Sequence, residues 1–152
     1  KVLIFIFSLI LGVNVWAGDP VCAKGYITLR KGPGEKSAVS WKVARYMPFL
    51  RTERKAGWSK VLDLEGEEHW AKSSDLTTNI RCVVIKTNVA ALRKDPNANS
   101  PSAEFKTVDR YTPFKRLGNE REWVNVEDET GRQAWVNETS VWKPVNVQSI
   151  SF

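Results

Sequence analysis

The chain contains two copies of one sequence pattern, and this internal repeat restricts its fold more than any other feature. The segment Leu29–Pro33, with the sequence LRKGP, returns 63 positions later as Leu92–Pro96, with the sequence LRKDP. The segment Val43–Phe49 returns 65 positions later as Val108–Phe114, and both contain Arg-Tyr-x-Pro-Phe. A repeat of about 60 residues exceeds the usual solenoid periods, so we expect each copy to be a small domain with its own core.

The later part of the repeat keeps the second spacing. Five further positions are identical in the two copies at the offset of 65: Trp58 and Trp123, Val61 and Val126, Asp63 and Asp128, Gly66 and Gly131, and Trp70 and Trp135. A two-residue insertion between Pro96 and Val108 accounts for the change of offset. We therefore expect two domains, residues 22–77 and 82–143. The short joint between them has no Gly or Pro, so the domains should pack together or hold a fixed angle.

Each copy has the pattern of an all-β domain. Short runs rich in β-branched and aromatic residues are separated by turn residues at intervals of roughly 8–12 positions, which is typical of a small barrel or sandwich. Within Trp58–Leu64, alternate side chains should point to opposite faces of a strand. Residues 73–76 resemble a single helical turn, and longer helical periodicity is absent from the sequence.

The first residues have the composition of a signal peptide. Lys1 is followed by an apolar run, Val2–Val13, that is too short to span a bilayer comfortably. We expect cleavage after Ala17, which would export the chain to the periplasm, the cell wall or the medium. The alternative is an uncleaved N-terminal anchor, which would be the protein's only attachment to a membrane.

The charge is moderately basic and unevenly distributed. The chain carries a net charge of +6, with +4 in residues 22–77 and +1 in residues 82–143. This excess suits an anionic envelope polymer, although it is equally compatible with a role in solubility alone. Basic and acidic residues are interspersed without a basic stripe, so we expect no nucleic-acid partner.

Two cysteines lie near the starts of the two copies. Cys22 and Cys82 occupy what we take to be matching positions in equivalent first strands. In an oxidising compartment an even number of cysteines indicates a disulfide, which here would join the two domains. The alternative is a pair of buried, inert thiols. Together with the single His69 they cannot complete a tetrahedral zinc site without carboxylates, so we expect neither metal nor cofactor.

Three motifs of this chain resemble the bacterial SH3-like (SH3b) family. They are the LRxGPG segment at Leu29–Gly34, the GWxxV segment at Gly57–Val61, and the GWVxxxxL ending, represented by His69–Leu76. The resemblance extends over both copies and implies two tandem, partly open barrels of five to seven strands, with a role in binding or targeting. Many relatives are attached to wall-degrading enzymes and recognise peptidoglycan. Asp75 and Ser140 replace the aromatic residue that many members carry, so recognition of proline-rich peptides is not expected.

The candidate contact residues are aromatic and basic side chains near the loops. Each has a structural alternative, which is core packing for the aromatic residues, a fixed turn for the tyrosines, or solvated loop charge for the basic residues. The set is Arg30, Lys31, Trp41, Tyr46, Trp58, Arg93, Lys94, Tyr111 and Trp123.

Catalysis is not expected from this sequence. His69 lies in a predicted strand without an obvious partner for a catalytic triad, and Glu67 and Glu68 fall in a hairpin turn and read as solvated surface. The sequence therefore predicts an exported, non-catalytic module that binds peptidoglycan glycan, its stem peptide or another wall component. The alternative is an adaptor or inhibitor that acts on an envelope protein such as a wall hydrolase.

Overall fold

The computed structural model describes residues 18–146, and the expected signal peptide lies outside them. The described part is all-β, with two single 3-10 turns at Ser73–Asp75 and Glu138–Ser140. This confirms the all-β fold class with two repeated units. No helix in residues 18–146 has the length and apolar character needed to cross a membrane.

The first barrel contains seven antiparallel strands that follow the order β3-β2-β6-β5-β4-β1-β7 across the sheet. Strands β1 to β7 comprise Asp19–Ala23, Ile27–Arg30, Val39–Val43, Pro48–Lys55, Trp58–Leu62, Glu68–Lys72 and Leu76–Thr77. The long hairpin β4-β5 turns at Ala56 and Gly57, whose φ values of 50° and 82° are both positive. Two positive φ values are what a two-residue type I′ turn requires.

The second barrel repeats this topology in the order β10-β9-β13-β12-β11-β8-β14. Strands β8 to β14 comprise Arg81–Ile85, Val89–Arg93, Ser102–Asp109, Pro113–Glu120, Trp123–Glu127, Gln133–Asn137 and Val141–Trp142. The two-residue insertion falls inside β10, where the pairing with β9 shifts between Ser102 and Thr107. A strand can absorb extra residues as a bulge without losing its place in the sheet.

Each barrel has its own core of alternating apolar side chains. On β5, Ser59 and Val61 are fully buried, whereas Trp58 and Lys60 lie on the outer, half-buried face. The largest fully buried side chains are Val21, Leu29, Phe49 and Val61 on the strands of the first barrel and Val83, Val84, Ile85, Leu92, Phe114, Val124, Val126 and Val136 on those of the second. The two copies thus bury equivalent positions.

The two cores meet at β8, which is buried on both faces. Val83 and Ile85 belong to the core of the second barrel, while Val84 packs into the core of the first. Trp142, which pairs with Val84 in the neighbouring strand β14, also packs against the first core. The barrels therefore share an apolar interface, in agreement with the expectation from the short joint.

A disulfide between Cys22 and Cys82 crosses this interface, with the two Cα atoms 6.0 Å apart. The cysteines lie in the equivalent strands β1 and β8, but the expectation that they occupy matching positions is wrong. Cys22 is paired with Pro48, whereas the corresponding Pro113 is paired with Val84, two residues beyond Cys82. A two-residue offset keeps both side chains on the same face of their strands, which is the face directed at the other barrel.

We expect the disulfide to contribute strongly to stability, as a Cys22→Ala/Cys82→Ala double variant should show. On the chain-entropy model, closing a loop with a sequence separation of 60 is worth about 4 kcal/mol. The free energy of unfolding in urea should fall by roughly 2–4 kcal/mol, with little change in far-UV circular dichroism because each barrel keeps its core. Treatment with reductant should destabilise the wild type and leave the variant unchanged. Equal stabilities of the two proteins would contradict this role.

Candidate functional site

The first candidate site is a groove on the outer face of the first barrel, which we name the first-barrel groove. Its volume is about 240 Å³, and its lining consists of Tyr26, Ile27, Thr28, Arg30, Glu35, Trp58, Lys72 and Asp75. Tyr26 is 79% exposed, and Trp58 is half-buried on the outer face of β5. The groove therefore presents aromatic surface beside charged groups of both signs.

An ion-pair network organises the charges of the first-barrel groove. The carboxylate of Glu35 forms a salt bridge with Lys72 and lies 3.4 Å from Nη2 of Arg30. The hydrogen bond with Lys72 lowers the pKa of Glu35 and raises that of Lys72. Arg30 Nη1 also donates to the carbonyl of Ser37 at 2.9 Å, which fixes its guanidinium against the loop. A ligand carboxylate could replace Glu35 at these two cations.

The second barrel does not reproduce this groove. Trp123, the counterpart of Trp58, is only 7% exposed and therefore belongs to the interior. Asn137 and Ser140 stand where the first barrel has Lys72 and Asp75. Identical tryptophans in the two copies thus have different exposure, and only the one in the first barrel is available to a ligand.

The second candidate site is a cleft at the boundary between the barrels, which we name the interdomain cleft. Its volume is about 340 Å³, and it is lined by Ser40, Trp41, Asp63, Glu65, Glu67, His69 and Tyr111. Tyr111 is the only lining residue from the second barrel, and its ring meets that of Trp41 edge-on with centroids 5.8 Å apart. The cleft therefore depends on the docking of the two barrels.

A hydrogen-bonded chain of three side chains forms one wall of the interdomain cleft. Nδ1 of His69 lies 2.7 Å from the hydroxyl of Ser40, and Nε2 lies 3.0 Å from Oδ2 of Asp63. His69 and Asp63 are buried, whereas Ser40 is partly exposed. His69 thus has two partners that the sequence did not suggest, and they fix the orientation of its ring.

Asp63 and its counterpart Asp128 organise the same hairpin turn in both copies. Oδ1 of Asp63 accepts hydrogen bonds from the backbone N–H groups of Glu65 and Glu67, and Oδ1 of Asp128 accepts from those of Thr130 and Arg132. The second oxygen differs, because Oδ2 of Asp128 accepts from the Arg132 guanidinium at 2.8 Å instead of from a histidine. The turn is shared by the copies, and its side-chain partner is not.

The repeated Arg-Tyr-x-Pro unit is a turn with an unusual backbone. Tyr46 and Tyr111 have φ values of 71° and 70°, a left-handed conformation that costs a bulky residue on the order of 1–3 kcal/mol. In each copy the tyrosine N–H donates at 2.9 Å to a carbonyl at the end of the first strand, Ala23 or Ile85. The preceding arginine guanidinium lies over the tyrosine ring, at 4.8 Å in the first copy and 5.2 Å in the second.

Both tyrosines lie at the domain boundary, with different partners. Tyr46 is buried in a small cluster with the disulfide and Ile80. Tyr111 is 40% exposed, and its hydroxyl donates to Oε1 of Glu65 at 3.2 Å. Arg110 donates to the same oxygen, so the second barrel holds the first hairpin by two hydrogen bonds.

The structure brings some of the indicated residues together and separates others. Arg30 and Trp58 both line the first-barrel groove, and Trp41 and Tyr111 both line the interdomain cleft. Tyr46 and Trp123, in contrast, are buried. Arg93 donates a hydrogen bond to the carbonyl of Ser100, and Lys31 and Lys94 are exposed on their loops. Sequence reasoning missed Tyr26, Glu35, Ser40, Asp63 and Lys72 as site residues. A signal for the Asp63–His69 contact was present, because the two positions flank one predicted hairpin.

Comparison with known families gives a match in both copies. A family model described as the bacterial SH3 domain matches residues 23–77 and residues 86–143. The matched segments together include strands from β2 to β7 and from β9 to β14. No curated protein is significantly similar to the chain in sequence.

Several solved structures are similar to this chain at low sequence identity. An NlpC/P60 family protein from Bacillus cereus has 15% identity and a TM-score of 0.38, covering 83% of this chain and 56% of that one. NlpC1 from Trichomonas vaginalis has 11% identity and a TM-score of 0.40, covering 95% of this chain and 54% of that one. The CBD of endolysin LysPBC5 has 14% identity and a TM-score of 0.33, covering 88% and 98%. The chain spans about half the length of the first two structures.

The hairpin of the second copy should make stability depend on pH in the acid range. Burial raises the pKa of Asp128, but hydrogen bonds from the side chains of Thr130 and Arg132 and from their backbones outweigh it and lower the pKa overall. A carboxylate whose pKa is lower in the folded state than in the unfolded state stabilises the fold at any pH above its unfolded-state pKa, which is near 4. This stabilisation is lost as the pH falls through the folded-state pKa. Urea unfolding between about pH 5 and pH 2 should therefore show a steeper loss of stability for the wild type than for Asp128→Asn. Parallel curves would show that the carboxylate is not responsible.

Proposed function

The chain belongs to the bacterial SH3 domain family, and from this we propose that it is a non-catalytic binding module of the bacterial cell envelope. Both copies match the family, which accounts for nearly all of the described strands. We propose peptidoglycan, through its glycan or its stem peptide, as the ligand of the first-barrel groove. The observation that carries this proposal is the exposed Tyr26 beside Trp58 and the cations of the groove.

The groove has the chemistry that such a polymer requires. The faces of Tyr26 and Trp58 can stack on sugar rings or on peptide planes. The forked guanidinium of Arg30 can bind a carboxylate through two hydrogen bonds, and Lys72 adds a second positive charge. Since Glu35 already occupies these cations, a stem-peptide carboxylate would exchange with it at a modest electrostatic cost.

Export to an oxidising compartment is part of the same proposal. The Cys22–Cys82 disulfide is of the kind that persists outside the reducing cytosol. After cleavage, which removes Lys1 and no acidic residue, the net charge of 22 − 17 = +5 would draw the protein to anionic envelope polymers at low ionic strength.

Sedimentation with purified sacculi tests the proposed ligand. We expect the wild type to sediment, and a Tyr26→Ala/Trp58→Ala variant to bind about tenfold more weakly, because two stacking surfaces are lost. Increasing the salt concentration should weaken binding by the wild type, since the contacts of Arg30 and Lys72 are exposed to solvent.

A matched control separates recognition from folding. Leu117→Ala removes an apolar side chain that is also exposed, but lies on the second barrel, and should leave sedimentation unchanged. All variants should show the thermal melting of a folded protein before they are compared. A wild-type chain that stays in the supernatant at low salt would refute the wall ligand and would direct the search to a soluble protein partner, such as a wall hydrolase.

A further inference from the structure

The interdomain cleft differs from the rest of the repeat in the residues that line it. At the offset of 65, Glu65, Glu67 and His69 correspond to Thr130, Arg132 and Ala134 in the second copy. Asp63 alone is retained as Asp128, and both aspartates have the turn-forming role described above. The residues that the first hairpin contributes to the lining, apart from Asp63, are therefore specific to the first copy, although the two hairpins have the same backbone plan.

The internal hydrogen bonds of the cleft leave particular groups available. Both carboxylate oxygens of Asp63 already have partners, since Oδ1 accepts two backbone N–H groups and Oδ2 contacts His69. Glu65 receives both of its donors on Oε1, so Oε2 has no partner among the described residues. Glu67 is exposed and forms no ion pair with any residue in the described range. Two carboxylates thus retain acceptor capacity towards the cleft.

The aromatic residues complete a site for a positively charged group. Trp41 and Tyr111 approach each other edge-on from opposite barrels and both line the cleft, and the guanidinium of Arg110 already lies over the Tyr111 ring. A cation beside such rings is stabilised by their quadrupoles, by about 0.5–2 kcal/mol according to its desolvation. The carboxylates of Asp63, Glu65 and Glu67 also favour a positively charged ligand. Within the described part of the chain, Arg110 is the only Lys or Arg that forms an ion pair with any of these three.

We propose that the interdomain cleft is a second binding site, separate from the first-barrel groove, that takes a ligand with a primary ammonium group. The ammonium lies against Trp41 and Tyr111 and donates hydrogen bonds to Glu67 and to the free oxygen of Glu65. The Ser40–His69–Asp63 chain holds the wall of the cleft in place. An ammonium on an amino sugar and one on an amino-acid side chain share this chemistry. Within residues 18–146, no group of three or more His, Cys, Asp or Glu side chains is placed to hold a metal ion.

Nuclear magnetic resonance titration of the disulfide-bonded chain tests the site. The probes are glucosamine and lysine blocked at its backbone amine and carboxyl groups, each compared with its N-acetylated, neutral counterpart. We expect the indole signal of Trp41 and the amide signals of the Glu65–His69 hairpin to shift with an amine probe and not with its acetylated counterpart. The amine that binds more tightly identifies the source, either an amino sugar or an amino-acid side chain.

A pair of adjacent variants provides the control. Glu67→Gln removes one charge from the cleft and should weaken binding about fivefold to tenfold. Glu68→Gln also removes one negative charge, but from the next residue, whose carboxylate lies near Lys60 and does not line the cleft. This variant should leave the affinity unchanged. Trp58→Ala should also have no effect here, so failure of this proposal can be distinguished from failure of the sacculus experiment. Equal binding of amine and acetylated probes, equal effects of the two glutamate variants, or no shift with either amine would overturn the proposal.

Discussion

Strand β8 packs against two cores at once, and the arrangement of both barrels depends on this double burial. Val83 and Ile85 complete the second core, while Val84 enters the first and Cys82 is bonded to Cys22. A strand buried on both faces has no solvent side and reads as a continuous apolar run instead of an alternating one. Because one strand serves both cores, packing rather than the linker sets the relative position of the barrels, and the interdomain cleft follows from that position.

Local signals in the sequence were enough to predict most of the fold. The repeat predicted two equivalent units, and the single helical turn near Ser73 lies where the sequence predicts it. The relation of the cysteines was misjudged because Cys22 and Cys82 were aligned by their order alone. The run around Cys82 is apolar on both faces, so it contains no period-two pattern from which its register could be read.

The candidate sites were less predictable because they depend on exposure and on docking. Trp58 and Trp123 occupy equivalent positions of the repeat, yet only the first is accessible, since the difference arises from their surroundings in each barrel. The exposure of Tyr26 could not be read from the sequence. The residue lies just before strand β2, so the inward and outward alternation of side chains along the strand does not apply to it. The contact of Trp41 with Tyr111 joins residues 70 positions apart and exists only in the docked pair.

The paired aspartates show how one fold can carry different chemistry in its two copies. In both copies one carboxylate oxygen accepts two backbone N–H groups, and loss of these bonds would leave unsatisfied donors in the turn. The fold therefore constrains this oxygen, while the other oxygen is free to change partner, to His69 in the first copy and to Arg132 in the second. Divergence at that position alters the adjacent surface without altering the turn. In the first copy this surface faces Tyr111 of the other barrel, so the second barrel, which lacks the aromatic groove, still contributes a wall to the cleft.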